Sequence, residues 1–87
     1  QSVMKKFIIP FVLCSISVFA IETEDKGYKA YNEGNYEVAK QMFTNAINEN
    51  PNNAELYYNR ALSEFKLGKI EEGNIDLRKA KMLVQTE

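Results

Sequence analysis

The stretch Glu33–Asn53, "EGNYEVAKQMFTNAINENPNN", sets a glycine, two aromatics, two alanines and a proline at ordered intervals. Tyr36, Ala39, Phe43, Ala46 and Ile47 recur at steps of three and four, which gathers their side chains on one face of an α-helix. Gly34 before that stripe can take the left-handed backbone conformation that closes a preceding helix. Pro51 after it cannot continue a helix. Sliding the chain along itself by 34 residues places Gly34 on Gly68, Tyr36 on Ile70, Glu37 on Glu71, Phe43 on Leu77 and Ala46 on Ala80. Gly27 meets Ala61, Tyr31 meets Phe65 and Ala39 meets Gly73 in the same register. Size class repeats while most polar identities do not, which is the mark of a shared packing scheme rather than a shared site.

Four helices follow, at Glu22–Glu33, Tyr36–Glu49, Ala54–Leu67 and Ile70–Gln85. Tyr28 and Tyr31 mark the first, and Tyr57, Tyr58, Ala61, Leu62 and Phe65 the third. Ile70, Gly73, Leu77, Ala80, Leu83 and Val84 continue the stripe on the fourth. Asn52 or Asn53 can cap the third helix, with Glu55 available for a box-like arrangement with Asn52. Glu71, Glu72 and Asp76 stand early in the last helix, while Arg78, Lys79 and Lys81 stand late. That order complements the helix dipole, and the charges read as a solvated face.

These residues resemble the tetratricopeptide repeat (TPR) family, whose unit is a helix–turn–helix of about 34 residues. Gly27, Gly34, Tyr36, Ala39, Phe43, Ala46 and Pro51 carry the pattern in unit one, and Tyr57, Ala61, Gly68, Ile70, Leu77 and Ala80 in unit two. The second unit departs at Gly73, where the family prefers alanine, and at Gln85, where its proline is missing. Those departures read as a looser or terminal unit, since glycine within a helix costs about 1 kcal/mol against alanine. The resemblance implies an all-α fold of antiparallel helix-turn-helix pairs stacked as a short right-handed superhelix. Its units are residues 21–53 and 54–87.

The resemblance also implies a concave groove, formed by the first helix of each unit, that binds a peptide or helix of a partner protein. Carried onto this chain, the candidates are Glu24, Tyr28, Tyr31 and Asn32 from unit one. Unit two offers Glu55, Tyr58, Asn59, Leu62, Phe65 and Lys66. Of the aromatics, Tyr31 and Phe65 read chiefly as core, while Tyr28 and Tyr58 suit packing and recognition alike. "YYNRA" (Tyr57–Ala61) further resembles repeats that clamp a carboxylate at the end of a chaperone, with Asn59 at the clamp asparagine. Glu24 stands where that clamp has a lysine and Tyr28 where it has another asparagine. An acidic residue there repels a carboxylate, so this subtype is set aside. A secreted chain would not meet cytosolic chaperones either.

The chain has 87 residues, a formal net charge of −1, one cysteine and no histidine. These leave room for one small domain and argue against histidine catalysis, Cys/His zinc sites, an internal disulfide and nucleic acid as partner. Glu71 and Glu72 are adjacent on a helix and point to different sectors. No catalytic constellation, calcium loop or cofactor motif appears, so the chain reads as a binding module and not an enzyme.

"MKKFIIPFVLCSISVFA" (Met4–Ala20) supplies the remaining signal. Lys5 and Lys6 precede an apolar run over residues 7–21, about 22 Å as a helix against a hydrocarbon core of roughly 30 Å. Residues 1–20 therefore read as a secretory signal peptide cleaved after Ala20. A buried helix and an uncleaved membrane anchor are the alternatives. Cys14 follows Phe11, Val12 and Leu13, not the small residue of a lipoprotein signal, and is apolar filler. Residues 1–3 precede Met4 and are set aside as non-native or over-extended. Cleavage would remove Lys5 and Lys6 but no acid, moving the net charge from −1 to −3.

The expected protein is thus exported, periplasmic or secreted, and docks a partner segment in its groove. The alternative is a structural or self-associating unit, or a piece of a longer repeat array, held at a membrane by its N-terminal segment. Two units fall short of the three or so that such stacks ordinarily need, and Leu83 and Val84 offer an apolar end surface.

Overall fold

The computed structural model describes residues 22–85. The signal-peptide reading of residues 1–20, with Cys14, lies outside them. The described residues form four helices and no strand: α1 over residues 22–32, α2 Tyr36–Glu49, α3 Ala54–Lys66 and α4 Ile70–Gln85. The expected elements are all present, with α1 and α3 one residue shorter at their C-terminal ends. The fold is all-α, a stack of helical hairpins in which α3 packs against both α2 and α4.

The two tight turns are built alike. Gly34 and Gly68 have φ of 82° and 79°, the left-handed region where only glycine escapes a Cβ clash. Around Gly34, the Asn35 N–H bonds the Ala30 carbonyl at 2.8 Å and the Gly34 N–H bonds the Tyr31 carbonyl at 3.0 Å. Lys69 to Glu64, at 2.8 Å, and Gly68 to Phe65, at 3.0 Å, repeat that pair 34 residues later. Both are Schellman closures that satisfy carbonyls the helix end leaves free. The turn between hairpins differs. Asn53 caps α3, its side-chain oxygen accepting from the Glu55 N–H at 3.0 Å. The Tyr57 hydroxyl donates to the Pro51 carbonyl at 2.8 Å and ties the turn to α3. Asn52 is not the cap, and the Glu55 carboxylate reaches Tyr28 rather than forming a box.

Small residues let the helices approach. Ala39, Ala46 and Ala61 have no exposed surface, and Phe43 is 1% exposed among them. Gly27 lies so close to Phe43 that a Cβ built on it would sit 2.7 Å from the ring. Gly73 bears the same relation to Phe65, at 2.5 Å. This corrects the reading of Gly73 as a loosened position: the missing methyl is occupied by an aromatic ring. Leu56, 2% exposed, joins the core although it lay off the expected stripe. Ile70 and Val84, expected on the stripe, are largely exposed.

The charged face of α4 needs a larger correction. Asp76 is buried, not solvated. It falls between Gly73 and Ala80 at helical spacing, on the side of α4 that meets α3. There it accepts two hydrogen bonds from Arg60, each 2.7 Å, the planar fork that a carboxylate matches best. Arg60 also donates to the Thr44 hydroxyl at 3.2 Å, so one side chain links α2, α3 and α4. Glu64 is buried beside this pair with Oε1 reached by no donor. Burial, reinforced by the neighbouring Asp76, pushes its carboxyl up to about 8. Burial alone would raise Asp76 too, but the hydrogen bonds from Arg60 and Glu64 outweigh it and hold Asp76 below its ordinary value. Lys40 bonds Glu72 at 2.8 Å on the exposed edge of the cluster.

Candidate functional site

The first helices of the two hairpins, α1 and α3, flank a cavity of about 210 Å³. Tyr28, Tyr31 and Asn32 line it from α1, Asn59 and Leu62 from α3, and Phe43 from α2. The helical period explains the grouping. Tyr28 precedes Tyr31 and Asn32 by three and four residues, and Asn59 precedes Leu62 by three, so each set shares one face of its helix. Tyr28 stands edge-on to Phe43 with ring centroids 5.5 Å apart, a favoured aromatic geometry. Tyr31 stands edge-on to Tyr36 at 5.2 Å.

The Tyr28 hydroxyl is the polar centre of the groove. It lies 2.8 Å from a Glu55 carboxylate oxygen and 3.2 Å from one of Glu24, and it accepts from the Asn59 side-chain amide at 2.8 Å. One phenolic proton thus faces two acceptors, with the shorter contact to Glu55. Burial pushes the Glu24 carboxyl up, opposed by the Tyr28 hydrogen bond and reinforced by the Glu55 charge. Burial also pushes the Tyr28 hydroxyl up, together with its bond to Glu55 and both carboxylate charges, so it stays protonated. Among the described residues, neither Glu24 nor Glu55 has a cationic partner.

The sequence-derived site divides here. Glu24, Tyr28, Asn32, Glu55, Asn59 and Leu62 come together with Tyr31 at the groove. Tyr58, 47% exposed, instead lines a wider apolar concavity of about 580 Å³ on the outer face of α3 and α4, with Ala54, Leu77, Ala80 and Val84. Glu55 reaches the rim of that concavity as well. Lys66 is exposed near the end of α3, its Nζ 5.9 Å from the Tyr36 ring centre, and does not line the groove. Phe65 packs on Gly73 and does not line the groove.

Sequence reasoning missed two elements. Spacing alone makes Phe43 a core residue, yet it also lines the groove from below. The Arg60–Glu64–Asp76 cluster was missed although Arg60 and Glu64 are four apart on α3 and Asp76 sits on the buried stripe of α4. An acid on an apolar stripe was the available signal. Among the described residues, no group of acidic or cysteine side chains is placed to hold a metal.

Two helical hairpins in a 34-residue register, with a groove between their first helices, make a TPR-type helical repeat. The chain is 38% identical over 61 residues to a protein SGT1 homolog of Oryza sativa subsp. japonica. It is 37% identical over 67 residues to DnaJ homolog subfamily C member 7 of Homo sapiens, and 42% identical over 59 residues to Hsp70-Hsp90 organizing protein 3 of Arabidopsis thaliana. These matches cover 70, 72 and 68% of this chain but 17, 14 and 11% of the relatives. The chain therefore corresponds to a small part of each. No family model matches.

These relatives correct the expectation of an exported, periplasmic or secreted chain. They are plant and human proteins, two of them named for DnaJ and for Hsp70 and Hsp90 and none for an envelope. An apolar run after two lysines is a signal of composition only. Among the described residues no helix is long and apolar enough to cross a membrane. With secretion overturned, Glu24 at the clamp-lysine position is what still disfavours a carboxylate clamp, since its charge repels a carboxylate.

Proposed function

We propose that the chain is a protein-interaction unit that holds an extended segment or helix of a partner in the groove between α1 and α3, and that it performs no catalysis. The observation that carries this reading is the cavity lined by Tyr28, Tyr31, Asn32, Phe43, Asn59 and Leu62, an apolar floor edged by polar groups. That combination is what a peptide needs, since its side chains seek apolar contact while its backbone seeks hydrogen bonds. The names of the relatives support a protein-binding role and make purified Hsp70 and Hsp90 the first partners to test. A photo-reactive residue in place of Leu62 is expected to crosslink a partner, and Asn32→Ala is expected to weaken the capture. Crosslinking from Tyr58 but not from Leu62 would move the site to the outer face.

A second reading rests on that outer face. Its apolar concavity offers a packing surface for a further helix or a second copy of the chain, as in a longer array or a self-associated unit. Light scattering on the full chain tests self-association: a dimer that Val84→Glu dissociates supports it, and a monomer excludes it.

A further inference from the structure

We infer that the partner segment places a lysine or arginine side chain between Glu24 and Glu55, with an apolar neighbour seated on Tyr31 and Leu62. This rests on the groove reading above and adds the chemistry of the occupant. Charge complementarity selects it. Glu24 and Glu55 stand on opposite walls, α1 and α3, and both reach the same phenolic oxygen. The hydroxyl has one proton, and Asn59 already fills an acceptor position on its oxygen. Two carboxylates are thereby brought together with one donor to share and no cation among the described residues to neutralise them. A cation arriving between them relieves their repulsion and supplies the missing donors, whereas a carboxylate adds a third negative charge. The apolar cavity begins at the same tyrosine, because Tyr28 lines it together with Leu62 and Phe43. Successive side chains of an extended segment point to opposite faces, so those two positions apart share a face at about 6.6 Å along the chain, and a basic residue with an apolar one two positions away reaches both features.

The test is selection of phage-displayed dodecapeptides on the full chain at low salt, followed by re-selection on the double variant Glu24→Gln, Glu55→Gln. Glutamine keeps an oxygen acceptor for Tyr28 and removes the charge; circular dichroism checks that the variant remains helical. The expected result is enrichment of lysine or arginine two positions from an apolar residue. Affinity of the winning peptide should fall at least tenfold in the double variant and less in either single one. It should also fall as salt rises. Enrichment of apolar peptides without a basic residue, displaced by Leu62→Asp, would leave the groove reading standing and overturn the cation. Enrichment of acidic or C-terminal carboxylate sequences would overturn it outright. No enrichment at all would count against the groove itself.

Discussion

At the level of single residues, the fold depends on aromatic rings laid over absent methyl groups. Phe43 touches Gly27 and is buried to 1%, so Phe43→Ala removes a core ring in a domain with little core to spare. A loss of about 3–5 kcal/mol is expected, enough to abolish the cooperative thermal transition of a domain this small. A retained transition near the parent midpoint would refute the packing. Gly73 gives a sharper test because two effects oppose each other. Alanine there gains about 1 kcal/mol of helix propensity, yet its methyl would lie 2.5 Å from the Phe65 ring, and overpacking typically costs about 1–3 kcal/mol. Gly73→Ala should therefore destabilise the parent and stabilise a Phe65→Leu background, measured as a change of sign in the midpoint shift. The 34-residue register made Gly73 visible as an exception. It could not show the reason, because Phe65 meets Gly73 through the third dimension and not through spacing along the chain.

Between elements, the informative contact is the polar one. Arg60 and Asp76 join α3 to α4 across a mostly buried boundary, with side chains 21% and 6% exposed. Asp76→Asn should cost about 2–3 kcal/mol, between the ranges for exposed and buried pairs, seen as a lower midpoint in urea. Glu64 makes this boundary sensitive to pH. Its carboxyl titrates near 8 in the folded chain against an ordinary 4.5, so the folded state holds a proton that the unfolded state releases. The contribution is complete below about pH 4.5, declines as pH rises, and is gone above about 8. Asp76 and Glu72 are shifted downward, and their contributions fade only in acid. Lys40 and Arg60 are shifted upward and act only in strong base. Glu24 is raised like Glu64 and acts with the same sign, so the variant must carry the assignment. The melting temperature should fall between about pH 5 and 8, and Glu64→Gln should flatten most of that slope. The helices were legible in the sequence because periodicity and glycine punctuation are local. This cluster was legible only as an acid on the apolar stripe of α4, because its partners Arg60 and Glu64 come from α3 and spacing along α4 cannot supply them.

Across the whole molecule, the two hairpins do more than lean on each other. The groove was legible as a face of α1 and α3, since Tyr28, Asn32, Asn59 and Leu62 follow helical spacing. The separation of Tyr58 from it was not, because adjacent residues on a helix diverge by about 100° and only the packed neighbours decide which one faces inward. Glu55 belongs to both surfaces, so replacing it should perturb groove binding and outer-face packing alike. Asn32→Ala should affect the groove alone, a contrast measurable by peptide titration and light scattering on the same samples. The Tyr28 hydroxyl has a further consequence. It bonds Glu55 and Asn59 across the boundary between hairpins, so the residue that would greet a partner is also a hinge pin of the stack. Selection for a new partner at this position cannot act on taste alone. If the groove holds a partner as proposed, each exchange at Tyr28 that retunes recognition also resets the joint, and partner choice and folding would evolve together here.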